Sequence, residues 1–213
     1  MRKHFASIAL LLSFFGSLLG QAEKGSVVEV VIGKVEYKSG DQVLPVTKGL
    51  TIKNGDTIVT GLGQMVILRL SNGGQLVVYE KSEMTMKSKE GDAAKSILEL
   101  DTGFLWVRVP KLKKDSSFSV DMPGATAGIR GTAFSASVTE KKESQVCVCE
   151  GEVKVTNPKG EEAVLKQGQL LKVGSNAPMG KPGRDLKFLK HPVKSTLTCL
   201  NCHQGGYSRD GLY

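Results

Sequence analysis

Between Val27 and Val173 the apolar positions come in short runs, and Gly, Asn and Asp break them at short intervals, which is the texture of an all-β chain. The first run is Val27 to Ile32. Met65 to Leu70 is another, and Ser71-Asn72-Gly73-Gly74 makes a hairpin break before a strand over Gln75 to Glu80. Further strands are predicted over Ile97 to Val109, Ser117 to Met122, Ala133 to Thr139, Gln145 to Val155 and Ala163 to Val173. No long amphipathic helix is read in this region. Around Ala133, alternation puts Thr132, Phe134 and Ala136 on one face and Ala133, Ser135 and Ser137 on the other, so Phe134 is a predicted core residue.

The pattern changes at both ends. Met1-Arg2-Lys3-His4 is a basic start, Phe5 to Leu19 is almost continuously apolar, and Gly20-Gln21-Ala22 offers small residues that a signal peptidase accepts. Residues 1–22 are therefore predicted to be an export signal, cleaved after Ala22. An uncleaved anchor is the other reading, but Ser13, Gly16 and Ser17 interrupt a stretch already short of the roughly 20 residues a spanning helix needs. No stable transmembrane span is expected after cleavage, and a periplasmic or secreted location follows. At the other end, Gly174-Ser175-Asn176-Ala177-Pro178 with Gly180, Pro182 and Gly183 reads as a linker over 174–183. Beyond it, residues 184–213 scatter Leu186, Phe188, Leu189, Val193, Leu197 and Leu200, too few for an independent core. The predicted organisation is signal 1–22, all-β domain 23–173, linker 174–183 and tail 184–213.

The formal charge of +8 falls to +6 once Arg2 and Lys3 leave with the signal. Lysines gather at Lys111, Lys113, Lys114 and at Lys141, Lys142, with acidic neighbours and no interleaved aromatics, so they read as solvated turns and no nucleic-acid partner is expected. Four cysteines in an exported chain would ordinarily suggest two disulfides. Cys147 and Cys149, two apart on a predicted strand, point to the same face, a geometry that disfavours a bond between them. They read first as two small buried residues, ahead of a redox or metal role.

The other pair lies in Cys199-Leu200-Asn201-Cys202-His203. Cys-x-x-Cys-His is the attachment motif of c-type haem: each thiol forms a thioether to one porphyrin vinyl, and the next histidine sits under the iron. One covalent haem c is predicted, held by Cys199 and Cys202 with His203 as proximal iron ligand. A dithiol redox motif would want a βαβ setting, and a zinc site would want a fourth ligand, which His191 could supply. Zinc, or no cofactor, is the alternative. Only His191 and His203 survive signal cleavage, and both lie in the tail. His191-Pro192-Val193 ahead of the motif resembles the distal-histidine spacing of small and multihaem c-type cytochromes. His191 is either the distal ligand or an exposed residue on a turn before Pro192, and Met179 is a more distant competitor for the iron.

Asn54-Gly55-Asp56-Thr57-Ile58-Val59-Thr60-Gly61, Leu70-Ser71-Asn72-Gly73-Gly74, Leu100-Asp101-Thr102-Gly103-Phe104-Leu105-Trp106-Val107 and Thr126-Ala127-Gly128-Ile129-Arg130-Gly131-Thr132-Ala133-Phe134 follow one another in the order of a known family. The chain resembles the FecR domain, with Val146 to Val155 around Glu150-Gly151 similar to its closing strands. Physically these strings are turn and packing devices: Gly55 and Gly61 bracket a short strand, and Gly128 and Gly131 permit backbone conformations or close approaches that a side chain would block. Arg130 reads as a partly buried structural arginine bonded to loop carbonyls or to a carboxylate such as Asp56. The resemblance implies an extracytoplasmic, non-catalytic β domain used in sensing or protein interaction. In the best-known members that domain follows a cytoplasmic anti-sigma segment and a membrane helix and relays a signal from an outer-membrane iron-uptake receptor. Neither is read ahead of the β region here, so what carries over is the domain type.

The expected fold is all-β, a β-sandwich or a short β-roll or solenoid, with a small irregular haem-binding tail. The β region holds no histidine, no Gly-x-Ser-x-Gly elbow and no phosphate-binding loop, which argues against an enzyme. A haem-dependent redox enzyme is a minor alternative. The expected function is sensing or interaction with a protein partner in the cell envelope, with haem as electron relay or redox and ligand sensor. A structural envelope protein that binds a protein or a cell-wall polymer without haem is the competing class.

Overall fold

The structure, a computed structural model, describes residues 25–89, 92–175 and 177–183. In chain order the strands are β1 (Ser26–Ile32), β2 (Glu36–Ser39), β3 (Gln42–Pro45), β4 (Thr51–Ile52), β5 (Thr57–Val59), β6 (Met65–Arg69), β7 (Gln75–Val78) and β8 (Glu83–Lys89). They continue with β9 (Asp92–Val109), β10 (Ser117–Met122), β11 (Ala125–Ile129), β12 (Thr132–Val138), β13 (Ser144–Glu150), β14 (Glu152–Thr156), β15 (Glu162–Lys166) and β16 (Leu170–Val173). The all-β expectation holds. Among the described residues there is no helix, and so none long and apolar enough to cross a membrane.

The strands form two sheets that share β9. The first runs β4-β1-β6-β7-β9-β12-β13-β16, and the second runs β3-β2-β5-β8-β9-β10-β11-β14-β15. Every pairing is antiparallel except β9 with β10. The N-terminal half of β9 pairs with β8 and β10 in the second sheet, and its C-terminal half pairs with β7 and β12 in the first. The inner faces enclose the main core, in which Val66, Leu68, Leu105, Val107 and Phe134 meet Ile58, Leu98, Leu100, Phe118 and Val153. Phe134 is fully buried there, as its position in the sequence predicts.

Glycine makes the passage of β9 from sheet to sheet possible. Gly103 has φ +102, and a Cβ on it would lie 2.4 Å from the Ser82 Cα, so both the backbone conformation and the packing exclude a side chain. The polar groups of this corner satisfy one another: Ser82 N–H donates to Thr60 Oγ1 at 2.9 Å, Thr60 Oγ1 donates to the Tyr79 carbonyl at 2.5 Å, and Phe104 N–H donates to Ser82 Oγ at 3.0 Å. All three side-chain bonds are buried, where an unmet donor or acceptor costs about 1–3 kcal/mol.

The same device recurs where one strand was predicted and two are found. Gln145 to Val155 divides at Gly151 into β13 in the first sheet and β14 in the second, and Ala163 to Val173 divides into β15 and β16 in the same way. Each predicted strand holds an internal break, Glu150-Gly151-Glu152 in the first and Lys166-Gln167-Gly168-Gln169 in the second, and apolar spacing alone does not show that the chain changes sheet there. Gly131, φ +79 with a would-be Cβ 3.0 Å from Lys111 Cα, turns β11 of the second sheet into β12 of the first.

Three local expectations are corrected. Gly128 has an ordinary backbone conformation within β11, and a Cβ there would meet nothing closer than 3.7 Å, so neither close approach nor an unusual φ demands glycine. Arg130 is exposed, not partly buried, because it sits at the outer corner between β11 and β12. Asp56 is buried, but its Oδ2 accepts the Lys53 N–H at 2.8 Å and closes the turn before β5. The lysine clusters are solvated turns: Lys111, Lys113, Lys114 and Lys141 are exposed, and Lys142 pairs with Asp101 at 2.7 Å.

Residues 177–183, predicted as linker, lie along the domain. Met179 is half-buried against the main core and its N–H donates to Glu161 Oε2 at 2.7 Å. Gly183 forms an antiparallel bridge to Leu170 on β16, the edge of the first sheet.

Candidate interaction face

A strand that packs on one side only alternates buried with exposed residues. The first sheet breaks that rule, and all seven residues of β12 are buried. Alternate positions on its strands belong to two separate apolar clusters. Leu105 and Val107 point into the main core, while Trp106 between them belongs to a second cluster with Ile67, Val77, Tyr79, Phe104, Ala133, Cys147, Cys149 and Leu170. This second cluster lies on the outer face of the first sheet.

Strand register lays the cluster out as a row. Ile67 stands opposite Val77, Val77 opposite Trp106, Trp106 opposite Ser135, Ser135 opposite Cys147, and Cys147 opposite Leu170. Six neighbouring strands thus contribute one residue each, and Trp106, at 0 % exposure, is near the middle. Tyr79 and Phe104 stack edge to face beside it, ring centroids 5.1 Å apart. Trp106 Nε1 is buried and has no hydrogen-bond partner among the described residues. Burying an indole N–H without an acceptor is costly, so whatever packs on this face should bring one.

Charged groups rim the row. On one side Arg108 on β9 faces Glu150 on β13 at 3.7 Å. On the other, a cleft of about 790 Å³ is lined by Leu62, Phe104, Glu80, Lys81, Glu140 and Lys141. Its charges are of both signs, which gives it no preference for a strongly anionic or cationic ligand.

Cys147 is fully buried, in keeping with its reading as a small core residue. Cys149, on the same face, is disulfide-bonded, which corrects its reading as an inert apolar side chain. Nothing in the spacing Cys147-Val148-Cys149 signals this, because the two thiols of such a pair point the same way and neither implies a distant partner.

The predicted haem residues Cys199, Cys202, His203 and His191 lie outside the described residues. The outer face is apolar and aromatic, suited to cover a porphyrin edge. No histidine lies among the described residues, so the domain contributes no imidazole to the iron. Met179 could reach it only by leaving its packing on the main core. Among the described residues no group of three or more His, Cys, Asp or Glu is placed to hold a metal ion.

The architecture defines a class, the two-sheet all-β domain whose chain crosses between layers at glycine corners. Residues 56–154, which contain the corners at Gly103, Gly131 and Gly151, match the FecR protein family. Two crystal structures of a candidate anti-sigma factor from Parabacteroides distasonis are similar in fold, each with a TM-score of 0.54 and 18% identity. The likeness covers 70% and 69% of this chain and 74% and 73% of theirs, and at that identity it speaks for the fold alone. No curated protein matches the chain.

Proposed function

We propose that this chain is an exported, non-catalytic FecR-type sensing and interaction protein, working with a protein partner in the periplasm or outside the cell, and that its matured tail carries one covalent haem c. The observation that carries the domain reading is the FecR match over residues 56–154, which lies within the two-sheet domain and contains its glycine corners. It supports a signalling or sensing role and speaks against catalysis. The haem reading rests on Cys199-Leu200-Asn201-Cys202-His203 behind an export signal.

In that reading Cys199 and Cys202 would hold the porphyrin through thioethers, each thiol adding its S–H across a vinyl group. His203 would ligate the iron, and His191 would be the imidazole available as a second ligand. Bound haem supplies a one-electron centre or, with the distal position open, a site for a small ligand. The domain's part is to cover the tail and keep water from it. A haem stain on denatured protein, matured in cells that attach haem c, tests this directly. Colour that survives denaturation is expected, and a colourless band beside a stained control cytochrome would refute it.

The structural envelope protein without haem is the second reading, and the oxidised state of Cys149 favours it. Any disulfide that consumes a tail cysteine leaves too few thiols for two thioethers.

A further inference from the structure

The outer face of the first sheet is buried, yet all sixteen strands of the described residues are used in two layers that meet across the other cluster. We propose that the chain's own C-terminal segment, residues 184–213, docks on this face and is fastened there by a disulfide between Cys149 and Cys199 or Cys202.

Four observations point to this occupant. The described chain leaves the domain at Gly183, which is bridged to Leu170, the end of the row. The segment that follows thus starts at the border of the face it would cover. It carries Leu186, Phe188, Leu189, Val193, Leu197 and Leu200, which lack a core of their own. Cys149 is disulfide-bonded, Cys147 on the same strand face is poorly placed to be its partner, and the remaining cysteines of the chain are Cys199 and Cys202. Finally, Trp106 Nε1 is buried on this face and still lacks an acceptor, which a backbone carbonyl of a covering segment would provide.

Reach is no obstacle. Sixteen positions separate Gly183 from Cys199, a span of up to about 50 Å when extended. β16 and β13 are adjacent, about 4.8 Å apart, so the segment has length to cross the whole row and return.

The chemistry balances as thiol–disulfide exchange. The Cys149 thiol and one tail thiol lose two protons and two electrons and become a disulfide, while the disulfide of an exported dithiol oxidase accepts them and becomes a dithiol. Thioether formation needs no oxidant, because each thiol adds across a vinyl group. The tail pair therefore has two exclusive fates, porphyrin attachment or closure onto Cys149. Docking does not rest on the haem reading, since a chain that never meets haem would still close.

The test is peptide mapping of the full mature chain, exported without haem maturation, acid-quenched and alkylated under denaturing conditions. Cys149 joined to the Cys199 or Cys202 peptide is expected. Cys149 found alkylated, joined to Cys147 or joined to a second chain would overturn the proposal. Trp106 is the single tryptophan of the chain, so its emission reports the cover. It should be blue-shifted and resistant to acrylamide when oxidised, and red-shifted with at least twofold greater quenching after reduction or in Cys149→Ser. Equal shielding in both redox states would assign the face to another occupant and refute docking through the disulfide. The same mapping on chain matured with haem separates the two readings. A stained band with Cys149 alkylated, beside an unmatured chain in which Cys149 is joined to the tail, supports both, whereas an unstained band with Cys149 still joined to the tail removes haem and leaves docking intact.

Discussion

The inner and outer faces of the first sheet are built from the same strands, often from consecutive residues, yet they are closed in different ways. Leu105 and Val107 are buried by the second sheet, whose presence follows from strand pairing alone. Trp106 is buried just as completely, on a face that no described strand covers. Complete burial is therefore not one condition. The inner cluster is intrinsic to the domain, and on our proposal the outer one depends on the C-terminal segment and on the oxidation state of one cysteine.

The largest effect is expected where the closure is intrinsic. Phe134→Ala empties a fully buried aromatic site and should cost about 3–5 kcal/mol, measured by chemical denaturation, equally in oxidised and reduced protein. A cost that changed with redox state would break the distinction between the two faces. Gly103→Ala should follow at about 2–4 kcal/mol, from the positive φ and the overlap with Ser82. Wild-type stability in that variant would show that β9 does not need this corner to change sheets.

These corners also mark what could be read in the sequence. The strands β1, β6, β7, β9, β10 and β12 were legible because each is an apolar run bounded by turn residues. The strands β2 and β3, exposed along much of their length, carry little apolar signal and were missed. β11 was hidden inside the Thr126 to Phe134 string, whose small residues Ala127 and Gly128 do not look like a strand until β10 and β14 flank it. The outer cluster was illegible for a deeper reason. A continuous apolar run can mark a strand buried on both faces, but the outer face of β12 carries Ser135 and Ser137, so alternation assigns that face to water. The Cys149 disulfide was equally illegible, because spacing reveals local pairs and not a partner beyond the domain.

A smaller effect belongs to the corner network. Thr60→Val removes the hydroxyl that joins the Tyr79 carbonyl and the Ser82 N–H and should cost about 1–3 kcal/mol. Because the network sits where β9 passes between sheets, the loss should appear as faster amide exchange at Ser82 and Phe104. Unchanged exchange there would mean that backbone pairing holds the corner alone.

The smallest effect is expected at the exit from the domain. The Met179 N–H, then the Asn157 side chain, hold the Glu161 carboxyl below its ordinary range. A carboxyl lowered in the folded state adds stability above its unfolded pKa and loses it as pH falls through the lowered value. Acidification should therefore loosen residues 177–183 before the sheets, seen as faster exchange of the Met179 amide after correction for intrinsic pH dependence. Glu161→Gln should make that exchange nearly independent of pH over the same range. Persisting acid sensitivity in that variant would place the tether elsewhere.

The most direct measurement of the central claim compares the mature chain with a chain ended after Gly183, following denaturation and Trp106 emission together. The account predicts that the shorter chain still unfolds cooperatively, since its inter-sheet core is complete, while Trp106 becomes red-shifted and open to acrylamide. A shorter chain that loses cooperative unfolding, or one that keeps Trp106 shielded, would contradict it.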